Sequence, residues 1–233
     1  MTTAIKIELA ELSKLVTENC ISRGNEMIDS GEKACRLLLL WLQYLESGQL
    51  TGTANCLISG VSSAAREGVA CVALGLARPA INSLRLQIDL SLAWLYFKDH
   101  PVEWARVQAT GDGFKLKTEL IKYVNETIPG YTARFGLLSQ CKTRKLDDPY
   151  RLLSAHIHGQ SETVLPKVLY PKDIVATPKI QMEIIELQLE CSEFLNDVFW
   201  SLYSDRWASI NKELQATLIK RFKSPEHRTT FFA

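Results

Sequence analysis

Apolar residues recur at steps of three and four along most of this chain, which is the spacing of one face of an α-helix. From Ala4 to Ile21 they form one such stripe, and Gly24 predicts the end of that helix. A second helix is predicted from Glu26 to Glu46, with Ser47-Gly48 as its exit. Residues 1–50 are therefore expected to form an N-terminal helical hairpin.

The middle of the chain is predicted to be a series of helices separated by glycine and proline. Residues 54–76 are rich in Ala, Ser, Gly, Leu and Val, and such small residues let a helix pack closely against its neighbours. Arg78-Pro79 then opens a fresh helix, because proline is favoured in a first helical turn. The helices predicted in this part of the chain cover residues 54–76, 79–97, 103–109, 114–125 and 131–139.

Asp148 is predicted to cap a further helix, with Pro149 in its first turn and Gly159 at its end. Residues 161–177 contain two prolines and no apolar stripe, which predicts a long ordered loop. The last helices are predicted over residues 178–203 and 207–222, with a frayed tail after them.

These elements predict an all-α fold, an up-and-down bundle of about seven to nine helices. No segment alternates apolar and polar residues with the β-branched enrichment of a strand. At 233 residues the chain is expected to form a single domain, because this length buries one sizeable core. Within that domain, residues 54–160 form the predicted central core and residues 178–222 the long C-terminal helices.

Composition and charge narrow the classes of protein that fit. Apolar residues make up 46% of the chain and charged residues 23%, the balance of an ordinary globular protein. The chain has 27 Lys and Arg and 26 Asp and Glu, so its net charge gives no general attraction to nucleic acid or membranes. The N-terminus lacks the pattern of a signal peptide, and the apolar stretch 69–97 is interrupted by charged residues. A cytoplasmic location without membrane contact is therefore expected.

Six cysteines are scattered singly along the chain, with no pair at the C-x-x-C spacing. A chain with this much core needs no disulfide framework, so reduced and mostly buried thiols are expected. The sequence also lacks metal-ligand spacing, a phosphate-binding glycine loop and a dinucleotide fingerprint. We therefore expect neither a metal nor a cofactor.

The most informative segment for function is DPYRLLSAHIHG, residues 148–159. On a helix of about 100° per residue, Arg151 and His158 lie about 20° apart, whereas Arg151 and His156 differ by about 140°. A histidine can act as general acid or base, and a guanidinium can hold a phosphate through its fixed positive charge. Arg151, His156 and His158 are therefore the candidate catalytic residues.

Arg151-Leu-Leu-Ser-Ala-His156 resembles the Arg-φ-x-x-x-His element of the HEPN superfamily, small helical bundles that include metal-independent ribonuclease toxins and effectors of bacterial defence. The likeness in layout runs from about Arg78 to Gly159. The resemblance implies a HEPN-like core, an RNA substrate and a site assembled across a homodimer. It also implies that His156 transfers the proton when a ribose 2′-hydroxyl attacks the adjacent phosphate, which Arg151 would hold. Leu152 departs from the pattern, since active members commonly have a polar residue directly after the arginine.

The helix before this element carries charged residues on an otherwise apolar face. Arg78, Arg85 and Asp89 fall at i, i+7 and i+11. The spacing of Arg85 and Asp89 fits an ion pair that fixes helix register. The alternative is substrate binding, for which Arg78, Arg85 and Ser154 are the candidates. The other interpretation of Ser154 is that it bonds only to the backbone of its own helix.

Two other interpretations of the sequence stay open. The Arg-His element can be purely structural, in a non-catalytic helical scaffold or accessory subunit of a multi-protein antiviral defence assembly. The second is a helical bundle that binds a small molecule or nucleotide. The basic end Lys220–Lys223, like Trp207 beside Arg206, marks either a solvated helix face or a surface for a partner or nucleic acid.

Overall fold

The computed structural model describes residues 3–233, with side chains from residue 5 onward, and within that range the protein is all-helical. The α-helices in this range are α1 (Thr3–Gly48), α2 (Cys56–Ala73), α3 (Ala77–Phe97), α4 (Pro101–Thr110), α5 (Lys117–Thr127), α6 (Tyr131–Gln140), α7 (Pro149–His158), α8 (Pro178–Leu202), α9 (Lys212–Ile219) and α10 (Pro225–Phe232). Two short 3₁₀ helices cover Pro171–Ile174 and Ser204–Ser209. No strand occurs in residues 3–233, where Leu76 and Val175 form an isolated antiparallel bridge. The predicted all-α class is confirmed.

The hairpin predicted for residues 1–50 is wrong, because α1 runs without a break through Gly24. A glycine weakens a helix by only about 1 kcal/mol relative to alanine, and packing along a long buried face outweighs that loss. Gly24 is buried and so is Met27, three residues later. Gly24 therefore belongs to the packed face of α1 and does not end the helix.

Contacts within the chain form two compact units, and α1, α2, α3 and α8 each contribute residues to both. Unit 1 consists of Met1–Cys35, Ser63–Gln87 and Asp148–Cys191. Unit 2 consists of Arg36–Ser62, Ile88–Asp147 and Ser192–Ala233. The single domain expected from chain length, with its central core and C-terminal helices, stays a prediction.

Unit 1 packs mainly small side chains where its helices meet. Its buried residues include Ala34, Ala64, Ala65, Val72, Ala73 and Ala80. Gly31 of α1 lies so close to α2 that a Cβ at this position would be 2.8 Å from Val69 Cγ2. The missing side chain at Gly31 therefore allows α1 and α2 to approach closely.

Buried amide side chains link the helices of unit 1. Gln87 on α3 and Gln188 on α8 each donate a 2.8 Å hydrogen bond to the other, and both are buried. Gln181 donates a third bond of 2.8 Å to the backbone carbonyl of Val72. A buried amide group without its partner would cost free energy, so these bonds fix the register of the helices.

The segment of residues 161–177 contains turns and one 3₁₀ helix but no α-helix, as predicted. It lies against the junction of α2 and α3, where the Ala176 N–H donates to the Gly75 carbonyl at 2.7 Å. Gly75 has a φ of +79°, and a Cβ there would be 2.9 Å from Val175 Cγ1. Glycine is therefore required at this contact for both its backbone conformation and its lack of a side chain.

Unit 2 contains large buried aromatic side chains and a buried ionic cluster. Trp41, Trp94, Trp200, Phe97 and Phe199 are fully buried. Asp197, also fully buried, accepts hydrogen bonds from Arg144 at 3.0 Å and from Arg221 at 3.1 Å. Arg221 also pairs with Glu193 at 3.1 Å. Removing one partner of a buried ion pair costs about 3–5 kcal/mol, so the cluster firmly joins the segments that carry its members.

The last part of the chain differs from the prediction. The helix expected over residues 207–222 is replaced by a 3₁₀ helix followed by α9, and the tail expected to be frayed forms α10. Ser224 caps α10 by accepting a backbone N–H of its first turn at 3.2 Å. Phe231 is buried and lies 4.7 Å from Trp200 between ring centroids. Burial of this one aromatic ring therefore holds the tail in place.

Within residues 3–233, α2 is long and apolar enough to cross a membrane by length and composition. Half of its residues are buried inside the protein, and a core helix can meet the same criteria.

We expect Gly31→Ala to destabilise the protein, because the new Cβ would collide with Val69. Overpacking costs about 1–3 kcal/mol, which exceeds or cancels the gain of up to about 1 kcal/mol in helix propensity. Gly136→Ala is the matched control: this glycine lies within α6 with nothing within 4 Å of its Cβ position, so alanine should stabilise. Urea denaturation would measure both free energies of unfolding.

In the double variant Gly31→Ala, Val69→Ala, removal of the two γ-methyl groups should recover part of the loss. Equal stabilisation by Gly31→Ala and Gly136→Ala would contradict the close approach of α1 and α2.

Candidate functional site

Helix α7 begins and ends as its sequence predicts. Asp148 Oδ1 accepts a hydrogen bond from the backbone N–H of Tyr150 at 3.2 Å, and Pro149 occupies the first turn. Gly159 ends the helix in the left-handed conformation, with a φ of +59°. These signals hold the whole candidate segment as one helix, so the positions of its polar side chains follow from helical geometry.

The two faces of α7 separate the predicted catalytic residues. Leu153 is buried and anchors the inner face, whereas Arg151 and His158 are exposed on the outer face. They lie about 20° apart around the axis. His156 is half-buried and lies about 140° from Arg151. The helix therefore directs Arg151 and His158 to the same side, and Arg151 and His156 to different sides.

Arg85 of α3 joins two side chains of α7. Its Nη2 donates to the Tyr150 hydroxyl at 3.0 Å, and its Nη1 lies 3.1 Å from His158 Nε2. The guanidinium carbon lies 5.0 Å from the centre of the Tyr150 ring, which is a cation–π distance. A guanidinium can only donate, so Nε2 of His158 is the acceptor in this arrangement.

Arg78 of α3 binds the end of α7 through a backbone carbonyl of that helix. Its Nη2 donates to the backbone carbonyl of His156 at 2.7 Å. The last carbonyls of a helix lack partners within the helix and carry partial negative charge, so a cation there is stabilising. Partial burial lowers the pKa of His156 below 6.5, and the positive charge of Arg78 lowers it further. His156 is therefore held mainly as the neutral imidazole near neutral pH.

The remaining predicted site residues have simpler surroundings. Arg151 is exposed, and its side chain makes no hydrogen bond or ion pair with the residues that the structure describes. Ser154 is half-buried on α7, one turn before His158. The structure thus brings Arg85 and His158 together, places Arg151 on the same outer face of α7, and directs His156 elsewhere. Whether any of them acts in catalysis stays a prediction.

Tyr150 does not stand out in the sequence, although its side chain contacts Arg85. The spacing of Tyr150, Ser154 and His158 at i, i+4 and i+8 was the available signal, because such positions lie along one side of a helix. The second signal was Arg85, which repeats Arg78 two turns later on the face of α3. Only the packing of α3 against α7 shows that the two sets of residues meet.

Two kinds of chemistry, anion binding and proton transfer, are open to the cluster of Arg78, Arg85, Arg151 and His158. A neutral imidazole can take a proton, and three guanidinium groups lie on or beside one short helix. No group of three or more His, Cys, Asp or Glu side chains placed to hold a metal ion occurs among the described residues. The cluster therefore fits a phosphate-bearing ligand better than a cation.

Comparisons of this chain with protein-family models, with curated proteins and with solved structures find no match.

The lowered pKa of His156 predicts a specific loss of stability in acid. The unfolded chain takes up a proton on this residue near pH 6.5, while the folded protein does so only at lower pH. Acidification below about pH 6.5 therefore favours the unfolded state through His156, and stability rises again with pH across the same window. We expect His156→Gln to lose less unfolding free energy than the wild type between about pH 7 and about pH 5.

Urea denaturation of both proteins across this range is the measurement. Above about pH 7.5 the imidazole is neutral in both states, so the two stability curves should run parallel there. Equal losses in acid for the two proteins would show that burial of His156 does not affect its protonation.

Proposed function

We propose that this protein is a metal-independent endoribonuclease with a HEPN-like core, and that its site is the outer face of α7 together with Arg85. The observation that carries the proposal is the contact of one arginine with both Tyr150 and the exposed His158. A base next to a phosphate-binding cation is what cleavage of RNA by its own 2′-hydroxyl requires. A cytoplasmic location and a role in bacterial defence, or as a toxin, form part of this proposal through the resemblance of the Arg151 to His156 segment.

In this proposal a substrate phosphate frees the base at the moment it binds. Arg85 donates to Nε2 of His158 at 3.1 Å in the unbound protein. A phosphate is a stronger acceptor than a neutral imidazole, and it binds a guanidinium through two parallel hydrogen bonds. Arg85 would therefore turn to the phosphate, and Nε2 of His158 would then be available to take a proton.

The bond changes balance without an added reagent. His158 removes the proton of a ribose 2′-hydroxyl, and the 2′-oxygen forms a bond to the neighbouring phosphorus. The bond from phosphorus to the 5′-oxygen of the next nucleotide breaks, and that oxygen receives a proton from the imidazolium or from water. The products are a 2′,3′-cyclic phosphate and a 5′-hydroxyl, while Arg85 stabilises the negative charge on the phosphate.

Arg151 supplies a second cation on the face where His158 lies. Its guanidinium makes no hydrogen bond or ion pair with described residues, so no internal contact must break before it binds an anion. Leu152 points away from this face, at about 100° from Arg151, and is 39% exposed. The residue that departs from the family pattern therefore does not occlude the proposed site.

Incubation with a mixed single-stranded RNA in EDTA should give cleavage products that end in a 2′,3′-cyclic phosphate. We expect His158→Ala to lower the cleavage rate by at least about 100-fold, because a positioned acid–base group contributes that much. Arg85→Met should lower it by a similar factor. The same sequence made of DNA should remain intact because it lacks the 2′-hydroxyl.

Two matched variants separate the site from general effects. Arg66→Met removes an exposed arginine of α2, and His156→Ala removes the imidazole on the other side of α7. Both should cleave RNA at rates close to that of the wild type. Intact RNA with the wild-type protein, or full activity in His158→Ala, would overturn the proposal, whereas loss of activity only in His156→Ala would move the base to that residue.

The second candidate function is a non-catalytic accessory subunit, and one observation favours it. The segment of residues 161–177 exposes neighbouring apolar side chains, with Leu169 84% exposed and Tyr170 54% exposed. Val168 and Leu165 beside them are each nearly half exposed. Contiguous exposed apolar side chains are common at surfaces that bind another protein.

If this function is right, the protein should co-purify from its source with a stoichiometric partner that Leu169→Ser, Tyr170→Ser releases. Phe114→Ser is the control, because Phe114 is also exposed, at 42%, but lies outside this segment. A monomeric protein without a partner, or a partner retained by the double variant, would count against the accessory role.

A further inference from the structure

A groove of about 810 Å³ lies at the C-terminal end of unit 2, between the end of α9 and α10. It is open to solvent, and its lining includes Ile219, Phe222, Lys223, Pro225, Arg228 and Phe232. Its volume falls within the range of about 300–1,000 Å³ that is typical of ligand sites. The groove belongs to the basic C-terminal region that the sequence leaves without an assigned role.

Aromatic rings form part of the groove wall. Phe232 is 38% exposed, and Phe222 is partly exposed beside it, with 6.2 Å between their ring centroids. Trp207 supports Phe232 from 5.1 Å, and the neighbouring Phe231 is buried and anchors α10. The exposed ring is therefore held in place by aromatic contacts before any ligand binds.

The charged side chains of the groove are all positive. Lys223 and Arg228 are exposed, and no acidic side chain lines the groove. Lys223 makes one weak contact, at 3.3 Å, with the carbonyl of Gln140. The side chain of Arg228 has no hydrogen bond or ion pair to any residue that the structure describes, so it is ready to bind an anion.

We propose that this groove binds single-stranded polynucleotide, with a base stacked on Phe232 and the adjoining phosphates held by Arg228 and Lys223. Every base has a face that stacks on an aromatic ring, and every nucleotide carries a phosphate, so such a site needs no particular sequence. An apolar peptide would leave both cations unpaired, and the lining has no Asp or Glu side chain to coordinate a metal ion. Positive charge next to an exposed, fixed ring therefore matches nucleic acid most closely.

The groove proposal is independent of the proposed ribonuclease activity. The groove residues lie in unit 2, and binding a polynucleotide there involves no bond cleavage. A labelled 2′-O-methyl RNA of about 12 nucleotides is the suitable probe, since it cannot be cleaved through its 2′-oxygen. Fluorescence anisotropy at low salt should show saturable binding to the full chain. DNA of the same sequence should bind comparably, and the RNA duplex should bind more weakly because its bases are not free to stack.

Two substitutions test the two halves of the site. Phe232→Leu keeps an apolar side chain but removes the ring, and we expect at least about fivefold weaker binding. Arg228→Gln should weaken binding by a similar factor and reduce the salt dependence. The slope of log K against log salt should become shallower by about 0.7, because the variant neutralises one phosphate fewer than the wild type.

Matched controls share the chemistry but lie outside the groove. Phe114→Leu changes an aromatic side chain that is 42% exposed, and Lys212→Gln removes an exposed cation at the start of α9. Both should bind as the wild type does, with circular dichroism confirming that all variants are folded. The proposal would be overturned if the wild type showed no saturable binding, or if the control substitutions weakened binding as much as the groove substitutions. Cleavage of ordinary RNA is a separate readout, which reports on the site at α7 alone.

Discussion

The candidate site depends on the hydrogen bonds that two arginines of α3 make with α7. Arg78 and Arg85 are seven residues apart, so both project from one side of α3 toward α7. Arg78 satisfies a carbonyl at the end of α7, and Arg85 orders the side chains of Tyr150 and His158. The same contacts hold α7 against α3, because a guanidinium can donate hydrogen bonds to several acceptors at once.

Buried polar groups select the packing register of the helices in each unit, and the two units use different groups. Unit 1 uses neutral amides, in which Gln87 and Gln188 satisfy each other without a net charge. Unit 2 uses an ionic cluster, in which Asp197 is fully buried beside two arginines. Small and aromatic side chains pack with little directional preference, whereas an unpaired buried amide or charge is costly. The polar groups therefore select one register among several that would bury similar apolar area.

Local signals in the sequence were sufficient where they involve only neighbouring residues. The cap at Asp148, the proline after it and the left-handed Gly159 predicted α7 nearly to the residue, because each acts through backbone bonds within one turn. The predictions at Gly24 and the C-terminal tail were wrong for the opposite reason. The packing of α1 outweighs one glycine, and the burial of Phe231 against Trp200 outweighs a weak local preference. Both depend on residues far away in the chain.

By itself, the sequence determined the all-helical class, most helix boundaries and the outer face shared by Arg151 and His158, because helix period and capping are local properties. Only the tertiary structure decided that Arg85 meets His158 and Tyr150, that His156 is half-buried, and that Phe232 and Arg228 line one groove. The physical reason is that these contacts join segments distant in sequence, and which surfaces meet is set by the packing of whole helices.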